Sequence, residues 1–85
     1  MPSTERCVYE AKLAVAGFYY FLQGKRRNEI LVHWHGDETQ NEIDFVNRVL
    51  DDTYAKAGAL PDARAVSEVT FGDQVYQACM SGRPS

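Results

Sequence analysis

Residues 29–58, EILVHWHG followed by DETQNEIDFVNRVLDDTYAKAG, decide how this chain folds. In the first part apolar and polar residues alternate with period two, the pattern of a strand with one buried face. In the second, Ile43, Val46, Leu50, Tyr54 and Ala57 share a narrow arc of a helical wheel, with Val49 beside them and Phe45 at the edge. Thr39-Gln40-Asn41-Glu42 fits a capping box, Asp37 is a competing cap, and Lys56, Gly58 and Pro61 are stop signals. The stretch therefore predicts a strand running into one long amphipathic helix.

Working outward, FYYFLQ at 18–23 and EILVHWH at 29–35 flank the loop Gly24-Lys25-Arg26-Arg27-Asn28, which predicts a β-hairpin. Pairing Gln23 with Glu29 places Phe18, Tyr20, Leu22, Ile30, Val32 and Trp34 on a core face. The other face then carries Tyr19, Phe21, Leu31, His33 and His35, too apolar for open solvent, so it calls for a cover. Residues 4–16 hold both periods. A helix ending at Gly17 as its left-handed cap is preferred for its helix-forming composition, with an extra strand as the alternative. Downstream, Ala65 to Met80 sort cleanly into apolar and polar faces around Gly72-Asp73, which predicts a second hairpin. The expected fold is α+β: a single domain over 1–85, with a four-stranded, mostly antiparallel sheet packed on the long helix and mobile ends at 1–3 and 81–85.

A chain of 85 residues forms one domain with a small core and marginal stability alone. Its net charge of −3 is too small to argue for a nucleic-acid or membrane partner from totals. The longest apolar run, residues 13–22, is about half of what a membrane-spanning helix needs. Glu10 and Lys12 interrupt the apolar core that a signal peptide would require before Ala14-Val15-Ala16. Cys7 and Cys79 are too few for a disulfide scaffold and have no metal-ligand spacing, so they read as reduced core thiols in a cytoplasmic protein.

Three groups of residues could carry chemistry. His33-Trp34-His35 on a strand would project two imidazoles to one side, which is two metal ligands and no third, so no cofactor is expected. Lys25, Arg26 and Arg27 gather at the hairpin tip beside Tyr19, Tyr20 and Phe21, a small footprint for single-stranded nucleic acid. On the helix, residues 37–52 hold six acids against Arg48 alone, and Asp44 and Asp51, seven apart, share one azimuth. Together with Asp37 and Asp52 they form an acidic face suited to a basic partner. No nucleophile elbow, phosphate-binding glycine loop or catalytic triad is present in the sequence.

These observations point to a small non-catalytic protein-binding module, in the manner of compact phage-encoded inhibitors or adaptors. Its acidic helix face, Asp37, Asp44, Asp51 and Asp52, would meet a basic surface such as that of a nucleic-acid-binding protein. Its second sheet face, Tyr19, Phe21, Leu31, His33 and His35, would pair two copies as a homodimer. The alternatives are a nucleic-acid-binding protein acting through Lys25, Arg26 and Arg27 and, more weakly, a metal-dependent enzyme using His33 and His35.

Overall fold

The computed structural model describes residues 3–82, and the secondary structure among them is entirely helical. Helix α1 spans Thr4–Leu22, α2 Gln40–Ala59 and α3 Glu68–Met80, with short 3-10 turns at Arg27–Glu29 and Ala63–Ala65. No strand forms among the described residues. The expected α+β architecture with its four-stranded sheet is therefore overturned, together with both hairpins and the extra strand considered for residues 4–16.

The error begins at Gly17. Ser3 caps α1 by accepting from the Arg6 amide, as helix-start chemistry predicts. The helix then passes through Gly17 and takes FYYFL as its last turns. It stops at Gly24, whose φ of +83° lies in the left-handed region. There the Lys25 amide donates to the Tyr20 carbonyl and the Gly24 amide to the Phe21 carbonyl, the paired bonds of a Schellman cap. Gly17 sits instead where α1 crosses α2: a Cβ placed on it would lie 3.1 Å from Leu50 Cδ2 and 3.2 Å from Thr53 Cγ2.

Gly72 repeats the lesson in α3. Read as the corner of a hairpin, it is a mid-helix residue, and a Cβ there would fall 2.6 Å from Val15 Cγ2 of α1. A glycine that marks a close crossing of two helices carries the same letter as one that marks a turn. Ser67 starts α3, its hydroxyl accepting from the Thr70 amide at 3.0 Å.

Helix α2 lies where its pattern predicts. Thr39 is its N-cap and accepts from the Glu42 amide, and Lys56 stands in its last turn. Gly58 does not end it; the helix runs on to Ala59, just ahead of Leu60-Pro61. The buried arc is Phe45, Val46, Val49, Leu50, Thr53 and Ala57, rotated from the expected one because α2 faces a helix and not a sheet. Phe45, expected at the edge, is in the core.

Helix α1 lies between the other two and packs along both. Its fully buried Phe18 stacks on Phe71 of α3 with ring centroids 4.3 Å apart, and Ala14, Phe45, Val49, Ala57 and Val75 close around the pair. The molecule measures 37 × 30 × 17 Å, and its thinnest dimension is only about one and a half helix diameters. So flat a trio buries one face of each helix well and leaves its flanks open.

Cys7, fully buried near the start of α1, is joined by a disulfide to Cys79 near the end of α3. The reading of these residues as reduced thiols is corrected accordingly. The bond closes a loop of 72 residues and fixes α1 and α3 antiparallel. Residues 30–39 form an irregular connection, and Leu31 within it is 82% exposed. Alternation alone does not make a strand: with 18–22 taken into α1, this segment has no neighbouring strand among the described residues to pair with. Of the ends expected to be mobile, residues 1, 2 and 83–85 lie outside the described residues, Ser3 caps α1, and Ser81 and Gly82 finish α3. No described helix is long and apolar enough to cross a membrane.

Candidate functional site

Two furrows run along α1, and the chain treats them differently. In the furrow shared with α2, Glu10 is buried at 5% exposure with Oε1 3.8 Å from the Arg48 guanidinium. Phe45 carries the Arg6 guanidinium at 3.9 Å from its ring centroid and stacks against Tyr9 at 5.8 Å. Long side chains thus cover aromatic surface with their stems and planes while keeping charge near water. Val32, His33, Trp34 and His35 of the connection lie over this side, enclosing with Tyr9, Leu13 and Val46 a cavity of about 250 Å³. Glu38 holds that connection in place, its carboxylate accepting from the His35 amide and, at 2.9 Å, from the Gly36 amide. The His35 amide bond is the main reason its carboxyl titrates below the ordinary glutamate range.

The furrow shared with α3 is open. Val8, Ala11 and Val15 of α1 and Val69, Gly72 and Tyr76 of α3 line a groove of about 410 Å³, with Lys12 and Asp73 along it. Val69, at the edge of this groove, is 81% exposed, so it extends the apolar lining outward. Both helices present the same step, three residues and then four: 8, 11, 15 and 69, 72, 76. This is the stripe a helix uses to pack against another helix. Ala11 and Gly72, the small residues at its middle, leave room for close approach.

The structure rearranges the residues singled out from sequence. Arg27 and Asp51, assigned to separate basic and acidic surfaces, form an ion pair with each other: Arg27 Nε lies 2.7 Å from Asp51 Oδ1, and its Nη2 donates to Asn47 Oδ1 at 3.1 Å. Arg26 turns back on Glu29 at 3.3 Å, and Lys25 Nζ sits 5.2 Å from the Tyr20 ring centroid. The Lys25 carbonyl accepts from the Tyr54 hydroxyl at 2.8 Å, and burial raises the Tyr54 pKa above the ordinary tyrosine value. Asp44 accepts from the Gln40 side chain at 2.9 Å; Asp37 lines the cavity under the connection, and Asp52 lies further along α2. Tyr19 and Phe21 belong to α1, where Phe21 meets Tyr54 edge to face, while Leu31, His33 and His35 belong to the connection, so these five share no sheet face. Among the described residues no three His, Cys, Asp or Glu side chains converge as metal ligation requires.

Sequence reasoning missed the groove. Its signal was present as the spacing 69, 72, 76 beside Phe71 and Val75, and Gly72-Asp73 masked it by resembling a two-residue turn. No protein-family model, curated protein or solved structure matches this chain.

Proposed function

We propose that this protein is a small, non-catalytic helical interaction module whose docking surface is the α1/α3 groove, made to receive an apolar helix face of three-four spacing. The observation that carries the reading is the pair of matched apolar stripes, capped by an exposed Val69, on the only flank of α1 that the connection does not roof among the described residues. The acidic face of α2 is a weaker candidate than the sequence suggests, because Asp44 and Asp51 already have partners in Gln40 and Arg27. The basic group is weaker for the same reason, with Arg26 and Arg27 both engaged in ion pairs. Against catalysis stands the disulfide, which removes Cys7 as a nucleophile, and the placement of both histidines on an exposed connection. The same bond favours an oxidising compartment over the cytoplasm expected from the sequence.

A designed amphipathic helix with leucine at three-four spacing, titrated into isotope-labelled protein, tests the groove. The expected outcome is a set of shift changes centred on Val8, Val15, Val69 and Tyr76 that disappears in Val69→Asp. Shift changes confined to α2 and the connection, or none at all, would overturn the reading.

A further inference from the structure

Resting on the groove reading, we infer that the helices received by the groove are α1 and α3 of a second copy of this chain, forming a homodimer with a four-helix interface around a twofold axis that runs along the groove. The argument is one of charge and symmetry. The Cys7–Cys79 bond and the approach of Gly72 to Val15 set α1 and α3 antiparallel, with Lys12 and Asp73 at nearly the same level along the groove. Lys12 follows the middle residue of its stripe, Ala11, and Asp73 follows the middle residue of its own, Gly72. The two charges therefore occupy the same position on their helices and differ only in sign. In paired helices that flanking position is the one that chooses the partner and its orientation.

Rotation by half a turn about the groove axis lays α1 of one protomer over α3 of the other. Lys12 then faces the partner's Asp73, and Asp73 faces the partner's Lys12, so one kind of contact forms twice, as an isologous interface requires. A twofold axis set across the groove instead stacks α1 on α1 and brings lysine against lysine, which like-charge repulsion disfavours. The stripes agree with the first arrangement. Val8, Val15, Val69 and Tyr76 supply the apolar contact, while Gly72 is taken up by the crossing of α1 and α3 within each protomer. Dimerisation also gives a 17 Å thick trio a second layer, which so small a core otherwise lacks.

Sedimentation of the oxidised protein from low to high micromolar concentration tests this, starting from a protomer of 9.6 kDa. The expected result is a shift to twice that mass as concentration rises. Lys12→Asp and Asp73→Lys, each placing like charges across both contacts, should weaken the dimer about tenfold or more, and the double exchange should restore it. Both sites are exposed, and circular dichroism checks that the helices persist. A wild-type protein that stays monomeric throughout, or a double exchange that fails to restore association, overturns the inference. A monomer that still takes the leucine-spaced helix in its groove overturns the second copy alone, whereas one that takes neither removes the groove reading as well.

Discussion

The two flanks of α1 solve the same problem in opposite ways. Toward α2 the chain supplies most of the cover itself: aromatic stacking on Phe45, the Arg48–Glu10 ion pair, which leaves Glu10 Oε2 buried without a hydrogen bond, the Arg27 ion pair with Asp51 and hydrogen bond to Asn47, and a roof made from its own residues 32–35. Toward α3 it relies on a covalent tie at one end, the Phe18–Phe71 stack in the middle, and a groove left bare beside them. A flank held by many weak contacts that exclude water is self-sufficient. One held by a cross-link can leave apolar surface uncovered without losing its geometry, and that freedom is what an interaction surface needs.

The sharpest way to break this contrast is to cut the tie. A cross-link closing a loop of 72 residues stabilises by about 4 kcal/mol through the entropy it removes from the unfolded chain. Reduction, or Cys79→Ser, should therefore lower the unfolding free energy by about that amount in denaturant titration. Hydrogen exchange should show the loss first in α3, with the amides of α1 and α2 that face each other remaining protected longest. Uniform loss of protection across all three helices would mean that the α1/α2 flank is not self-sufficient.

The two crossing glycines sharpen the comparison at smaller scale. Alanine in place of either gains about 1 kcal/mol of helix propensity. At Gly72 the new methyl meets Val15 Cγ2 at 2.6 Å, on a β-branched side chain with little rotamer freedom, so Gly72→Ala should be a net loss of about 1 to 2 kcal/mol. Val15→Ala in the same chain should recover much of it. At Gly17 the neighbours lie at 3.1 and 3.2 Å, and the nearer is the rotatable end of Leu50. Gly17→Ala should stay within about 1 kcal/mol of neutral, the propensity gain offsetting the tight contact. Thermal unfolding of the three variants checks both the order and the rescue.

How much of this was legible beforehand follows from the same residues. Helix α2 could be read because its signals are local: a Thr39 cap, a three-four apolar arc, Lys56 near the end. The first part of α1, residues 4–16, could be read as helix from its composition, but its continuation through Gly17 and all of α3 could not, because what keeps those parts helical is tertiary. Gly17 and Gly72 are tolerated mid-helix only for the neighbours they admit, and from sequence each looks like a turn. The aromatic run at 18–21 favours strands by intrinsic preference, and packing of Phe18 on Phe71 overrides it. The candidate residues fared likewise. Arg27 and Asp51 were recognisable as charged and exposed by type, but twenty-four positions of separation hid that they pair with each other. The disulfide was invisible for want of any spacing rule linking two cysteines at the far ends of different helices.

The finest probe concerns the roof. Glu38 fastens the connection by accepting from the His35 and Gly36 amides, and these bonds, the His35 one first, hold its carboxyl below the ordinary glutamate value of 4.5. A carboxyl whose folded-state pKa is depressed stabilises the fold above its unfolded value and loses that contribution as pH falls through the folded one. Acidification below the ordinary glutamate range should therefore loosen residues 35–38 while the disulfide keeps α1 against α3. The His35 and Gly36 amide resonances should report it, moving together with one midpoint below 4.5 and losing that transition in Glu38→Gln. A midpoint at or above that value would mean that Glu38 does not fasten the connection. If instead the valine resonances of the α1/α3 groove follow the same midpoint, the two flanks are coupled, and the division between a finished side and an open side fails.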